Sequence, residues 1–189
     1  MNATVKGQKC QIDGSYCSFG AQSLLKLLTV FKTQIDGVIK SDDIEYVHKT
    51  RVTSRRLRAA MPLFKECLPR KKYSRWLCEI KKVTRLLGDA RDLDVQIIFV
   101  EQYMNKLDSE AEKAGVALLL NLHKDHRKSI QPAIICGLEE LKATDVLGNL
   151  GNFWEKTITE PSNLDFDPQK VLEKSRWHIS FKLDDFLAM

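Results

Sequence analysis

Cationic side chains at helical spacing are the residues of this sequence best suited to chemistry. His48, Arg51, Arg55 and Arg58 follow one another at intervals of three or four residues, and no acidic residue lies between Glu45 and Arg58. At about 100° per residue they fall within an arc of roughly 80° on one side of a helix, where like charges repel one another. Guanidinium groups bind phosphate oxygens through two parallel hydrogen bonds. The pattern therefore predicts a site for a phosphate-rich anion.

The positive charge of the chain is concentrated around this stretch. The net charge is only +5 over 189 residues, but residues 40–91 contain 15 Lys and Arg against 6 Asp and Glu. The rest of the chain is therefore slightly acidic. A local excess of one sign attracts a charged ligand more strongly than the same charge spread over the whole surface.

A second basic helix is predicted close to the first in sequence. Lys81, Lys82 and Arg85 share a face with Gly88, while the opposite face is apolar. If the two helices pack side by side, we expect their basic faces to line a common groove, where the hydroxyl groups of Thr50 and Ser54 could add hydrogen bonds to a bound anion.

The elements that must position these residues are helices throughout. Apolar residues recur at three- and four-residue intervals, whereas strand signals are nearly absent. The predicted fold is all-α, with antiparallel helical bundles and long kinked helices. Seven helices are expected, over residues 18–39, 43–67, 73–87, 90–107, 110–141, 145–158 and 168–189, with a loop over 160–168. Ser41 or Asp42 is expected to cap the second helix, bends are expected near residues 58–61 and Pro132, and Gly88 allows a break or a close helix contact.

Composition narrows the class of protein further. Hydrophobic residues make up 43% and charged residues 29% of the chain, as in ordinary globular proteins. No apolar run is long enough to cross a membrane and no secretory signal is evident, so we expect a cytoplasmic protein. The five cysteines form no C-x-x-C pair, which favours reduced thiols.

Two motifs resemble those of the CHAD family, the conserved-histidine α-helical domains. The first is H-x-x-R-x-x-x-R-R-x-R over residues 48–58, and the second is L-G-x-x-R-D-x-D-V over residues 87–95. Both motifs, in this order and at this separation, are far more specific than a single basic helix. Weaker similarity runs through residues 121–154, so the resemblance covers most of the chain beyond about Cys17.

The resemblance implies an archaeal or bacterial type of protein in which two similar four-helix bundles surround a basic cavity that binds inorganic polyphosphate. It assigns residues 17–189 to the CHAD domain, after an N-terminal extension over residues 1–16. Family members carry a second basic helix in their other half. No match to it is found here, so we expect the C-terminal part to be lacking and the second bundle to be incomplete. An open bundle exposes apolar surface, which favours a homodimer.

The resemblance also implies a set of polyphosphate ligands. For Arg91, an ion pair with Asp92 or Asp94 is an equal alternative. Carried over by motif, the ligands are His48, Arg51, Arg55, Arg56, Arg58 and Arg91. Lys82 and Arg85, on the helix before the second motif, are expected as further contacts.

The function expected from these observations is non-catalytic polyphosphate binding, as a targeting or regulatory module associated with polyphosphate granules. We expect no cofactor and no metal, and interpret His123 and His126 as surface histidines. The first alternative is an RNA- or other nucleic-acid-binding protein, although few aromatic residues interrupt the basic stretch for base stacking. The second is a metal-dependent phosphohydrolase or phosphotransferase, for which a carboxylate cluster is not evident.

Overall fold

A computed structural model describes residues 14–40 and 43–159, together with the isolated positions 169, 172, 173 and 176. Over this part the chain forms helices and no strand, which confirms the all-α class. The helices are α1 (Gly14–Lys40), α2 (Ile44–Ala60), a 3₁₀ turn (Lys65–Cys67), α3 (Arg70–Met104), α4 (Glu110–Ala143) and α5 (Val146–Thr159). The proposed caps Ser41 and Asp42, the predicted loop over 160–168 and most of the predicted last helix lie outside the described residues.

The predicted break at Gly88 is wrong, because α3 runs through it as one helix of 35 residues. A glycine inside a helix costs only about 1 kcal/mol relative to alanine. Leu87 and Ala90, on either side of Gly88, are fully buried, and their packing outweighs that cost. The third and fourth predicted helices are therefore a single one. Helix α4, predicted as one helix with a bend at Pro132, runs through that residue over 34 residues.

The second helix is shorter than predicted because Pro62 ends it. The amide of Met61 donates the last α-type hydrogen bond, to the carbonyl of Leu57 at 2.9 Å. Proline has no amide hydrogen and cannot donate the next bond of the series. The amide of Leu63 instead bonds to the carbonyl of Ala60 at 3.0 Å, which tightens the chain into turns before the 3₁₀ segment. The prediction of a kinked helix reaching Cys67 is thus wrong.

Helix α1 lies at the centre of the packing, against α2 on one side and α5 on the other, while α3 packs against α2 and α4. Its apolar residues recur at three- and four-residue spacing, which puts them on the side facing its neighbours. Trp154 of α5 is fully buried in the same core. The α1 residues buried to 1% exposure or less are Tyr16, Ala21, Leu24, Leu28, Phe31, Ile35 and Val38.

A disulfide joins the start of α1 to the 3₁₀ segment, which corrects the expectation of reduced thiols at these two positions. Cys17 and Cys67 are bonded, with Cα atoms 5.5 Å apart and a sequence separation of 50. Such a pairing has no local sequence signature, since only the fold brings the two cysteines together. Cys78 and Cys136 are free and exposed.

Beyond the α1–α2 connection, α3 and α4 continue as an apolar hairpin, defined here as residues 95–122. Large apolar side chains are exposed along it, from 37% for Ile98 to 68% for Phe99. None of the helices in the described ranges is long and apolar enough to span a membrane. The exposed apolar residues of the hairpin are Val95, Ile98, Phe99, Tyr103, Leu118, Leu119 and Leu122.

Candidate functional site: a basic groove between α2 and α3

The N-terminus of α2 fixes where the cationic residues lie on the helix. Asp43 is the N-cap, and its Oδ1 accepts a hydrogen bond from the amide of Glu45 at 2.9 Å. A carboxylate at the cap accepts a hydrogen bond from an amide that has no partner within the helix. The negative charge of Glu45 in the first turn interacts favourably with the helix dipole. The cap is therefore Asp43, one residue after the expected Ser41 or Asp42.

The buried side of α2 carries hydroxyl groups as well as apolar residues. Val47 and Leu57 are buried there, together with Thr50, Thr53 and Ser54. Val52 is only partly buried. A threonine or serine can be buried in a helix because its hydroxyl bonds to a backbone carbonyl one turn earlier.

These hydroxyl groups are not available to a ligand, contrary to expectation. The Thr50 hydroxyl donates to the carbonyl of Tyr46 at 2.6 Å, and that of Ser54 to the carbonyl of Arg51 at 2.8 Å. Both residues are 0% exposed. The Ser54 hydroxyl also hydrogen-bonds to that of Thr84 in α3 at 3.0 Å. The role of Ser54 is thus to set the register between α2 and α3.

The cationic stripe lies beside this contact on α2. His48 and Arg51 are partly exposed, and Arg55 and Arg58 are exposed. From the direction of Ser54, the four lie about 40° to 120° around the helix, on the side away from Leu57. The stripe is thus on the outer side of the α2–α3 contact, not on the core side.

Helix α3 presents its own cations on the same outer side. Because the two helices are antiparallel and meet at Ser54 and Thr84, the side of α3 that faces away from the core lies about 40° to 100° around the helix from Thr84, counted along the chain as on α2. Lys81, Arg85 and Gly88 occupy them, while Val83 and Leu87 are on the core side. The Ser54–Thr84 level places Arg58 near Lys81, and Arg55 near Arg85. We call this surface the basic groove; its residues are His48, Arg51, Arg55, Arg58, Lys81, Arg85 and Gly88.

Gly88 leaves the floor of the groove open opposite Arg51. A Cβ atom built at Gly88 would meet nothing within 4 Å. Close packing therefore does not require glycine at this position.

The cations of the groove are not neutralised within the described part of the chain. Its six ion pairs lie elsewhere and involve none of the groove residues. The Nε atom of Arg51 is buried and has no hydrogen-bond partner among the described residues. A buried donor left unpaired costs about 1–3 kcal/mol. The groove therefore has both unneutralised charge and an unused donor.

Three residues expected in the site are placed differently from the rest. Lys82 lies on the α4 side of α3, paired with Glu79 at 2.8 Å, and this hydrogen bond raises the pKa of the Lys82 ammonium. Arg56 is exposed and lies about 160° around α2 from Ser54, away from α3. Lys81 was expected on the basic face of α3 but not among the ligands, and it takes the place expected for Lys82. Its four-residue spacing to Arg85 was the available signal.

The third of these residues, Arg91, is partly buried at the end of the groove beside α2. It has no ion pair within the described ranges, so the alternative of a pair with Asp92 or Asp94 is not observed. Asp94 is instead bonded to Arg127 of α4, with Oδ1 and Nε 2.8 Å apart. Burial raises the pKa of the Asp94 carboxyl, and the arginines nearby oppose that shift only in part.

In residues 14–40 and 43–159, no group of three or more His, Cys, Asp or Glu side chains could hold a metal ion. His123 is partly buried and His126 exposed. The basic groove can therefore bind an extended anion through charge and hydrogen bonds.

Comparison with known proteins agrees with the sequence motifs. No curated protein and no solved structure gives a significant match to the chain. A family model described as the CHAD domain matches residues 22–178, a span that includes α2, α3 and the whole basic groove. The chain therefore belongs to the CHAD domain family.

Proposed function

We propose that this protein binds inorganic polyphosphate in the basic groove, without chemical conversion of the ligand. The observation that carries the proposal is the meeting of two cationic stripes, one from α2 and one from α3, with no carboxylate paired to either in the described structure. Five Lys and Arg cations and His48 lie along a groove of about 15 Å, the length of residues 48–58 in a helix, and this arrangement suits a linear chain of phosphates.

The electrostatics favour a ligand that carries repeated negative charge. Like charges at helical spacing destabilise an isolated helix by a few tenths of a kcal/mol per pair. An anion in the groove removes that repulsion and offers acceptors to Arg51, Arg55 and Arg58. Guanidinium–phosphate bonds are charge-assisted and stronger than neutral hydrogen bonds. The unpartnered Nε of Arg51 is one donor that such a ligand would satisfy.

Polyphosphate is favoured over nucleic acid because the groove contains no Phe, Tyr or Trp. Its members are five Lys and Arg residues, His48 and a glycine, so bases lack the row of large rings on which proteins that bind single strands stack them. The CHAD family is also associated with polyphosphate. The alternative, RNA binding, is separated by competition. A labelled polyphosphate bound to the protein should be displaced by unlabelled polyphosphate but not by an equal phosphate concentration of RNA.

A binding role is favoured over phosphohydrolase or phosphotransferase activity by the composition of the groove, which has no carboxylate to hold Mg²⁺. We infer a targeting or regulatory module that acts in the cytoplasm at polyphosphate granules. Incubation of the protein with polyphosphate and Mg²⁺ or Mn²⁺ should release no phosphate above the level of a protein-free control. Release that depends on His48 would contradict the proposal.

A further inference from the structure

The stripe of α3 that forms one wall of the groove does not stop where α2 ends. Going towards the N-terminus of α3, three- and four-residue steps lead from Gly88 to Arg85, Lys81, Cys78, Ser74 and Lys71. Every one of these side chains before Gly88 is exposed. At 1.5 Å per residue, the stripe from Lys71 to Gly88 is about 26 Å long, compared with about 15 Å for the α2 stripe.

The same stripe changes character in the other direction. The next positions after Gly88 are Asp92, which is exposed and acidic, and then Val95 and Phe99, which are exposed and apolar. An anion that leaves the groove at Gly88 would meet a carboxylate and then an apolar surface. The favourable direction for an anion is therefore towards Lys71.

Charges near the far end of the stripe are also positive. The Nζ of Lys65 lies over the ring of Tyr73, 5.9 Å from its centroid, which places this ammonium beside the first turns of α3. Arg70 is exposed on the groove side of the first turn. The neighbouring Glu66 acts on Tyr16, whose pKa is raised to about 12 mainly by burial and then by this carboxylate, so Glu66 faces α1.

The acidic residue within this stretch does not oppose the cations of the stripe. Residues 70–85 contain seven Lys and Arg and one acidic residue, Glu79. Glu79 is turned towards Lys82 on the α4 side. Lys72 and Arg75 line a small cavity against α5 and do not belong to the stripe. Cations in the first turn of a helix are unfavourable to the helix dipole, so a purely solvating surface would not need them there.

We propose that the α3 stripe extends the binding site beyond α2 into a track for long linear polyphosphate, which passes over Cys78 between Lys71 and Lys81. This inference rests on the proposed function and deepens it, because it names chains much longer than the groove as the ligand class. Short oligophosphates fill the groove but leave the outer half of the track empty.

The free thiol of Cys78 provides a direct test. Alkylation of the oxidised protein by iodoacetamide, followed by mass spectrometry, reports Cys78 and Cys136 separately, since the other described cysteines are disulfide-bonded. Long-chain polyphosphate should slow Cys78 alkylation by about fivefold or more, because thiol reactivity follows access and local charge. Cys136, exposed on α4, should react at an unchanged rate. Tripolyphosphate should protect neither thiol.

A pair of variants tests the same track through affinity. Arg70→Gln with Lys71→Gln removes two exposed cations at the far end of the track, outside the groove. Its matched control, Lys26→Gln with Lys156→Gln, removes two exposed cations from α1 and α5. With long-chain polyphosphate, the first variant should reduce the log–log salt slope by about 1.4 and the control by much less.

The two proposals fail in different ways. If long-chain polyphosphate binds and depends on Arg55, yet leaves Cys78 fully reactive, the track is wrong and the groove stands. If tripolyphosphate protects Cys78 as well as the long chain does, the length requirement is wrong and with it the track. If no polyphosphate binds, both the proposed function and the track are overturned.

Discussion

The contribution of a single groove arginine to binding can be worked out from the structure. Arg55 is exposed, lies at the middle of the α2 stripe and faces Arg85 across the groove, with no ion pair of its own in the described part of the chain. Its replacement by alanine should remove one phosphate contact without unfolding the protein, because the side chain is not packed in the core. A charged hydrogen bond is worth about 1.5–3 kcal/mol, so affinity should fall by about tenfold or more.

Salt dependence provides the sharper measurement. Each phosphate neutralised contributes about 0.7 to the log–log slope of affinity against salt for a single-stranded polyanion. With about five to six contacts, the slope should be roughly −3.5 to −4, and Arg55→Ala should reduce its magnitude by about 0.7. Fluorescence titration with a labelled polyphosphate at several salt concentrations measures both quantities.

Two further variants define what that result means. Lys156→Ala removes an exposed charge from α5 and should leave the slope nearly unchanged, which separates local contacts from total charge. Arg56→Ala should have a smaller effect than Arg55→Ala, because Arg56 points away from α3 although the motif includes it. A slope near zero for the unmodified protein, or equal losses for all three variants, would refute the electrostatic account of the groove.

The remaining predictions concern stability and assembly. Arg127→Met leaves the buried carboxylate of Asp94 unpaired and should lower the free energy of unfolding, measured by urea titration, by about 3–5 kcal/mol. A second replacement, Asp94→Leu, should recover most of the lost stability. Gly20→Ala places a Cβ into a buried phenyl ring and should destabilise the protein by about 1–3 kcal/mol, whereas Gly115→Ala, with open space around it, should stabilise by about 1 kcal/mol in thermal unfolding. We expect the apolar hairpin to support a homodimer, so light scattering should give twice the 21.7 kDa chain mass, and Phe99→Asp should give the monomer.

The sequence predicted the helical class and the α2 stripe because both follow directly from periodicity. The cations at 48, 51, 55 and 58 have only one arrangement on a helix, whichever neighbours the helix has. The same reasoning could not assign the buried side of α2. Thr50 and Ser54 look like ligand donors in sequence, and their burial depends on the approach of α3 at Thr84.

Competition between local signals and packing explains the other differences. Gly88 is a helix breaker only if nothing around it is buried, and here Leu87 and Ala90 hold the helix together. Lys81 and Lys82 lie about 100° apart around α3, and the position of α4 decides which of them faces the groove. Residues that meet only in the folded chain, such as Asp94 and Arg127, leave no trace in local spacing.

The covalent link between Cys17 and Cys67 encloses almost all of α1 and the whole of α2, including its share of the groove. Closing a loop of 50 residues reduces the entropy of the unfolded chain and, on the chain-entropy model, stabilises the fold by about 4 kcal/mol. Arg51, Arg55 and Arg58 repel one another on α2, and this cross-link offsets that cost when no anion is bound. With the disulfide formed, the protein can keep these charges exposed without a ligand. In a reducing cytoplasm, where the bond is broken, bound polyphosphate would have to supply the same stability.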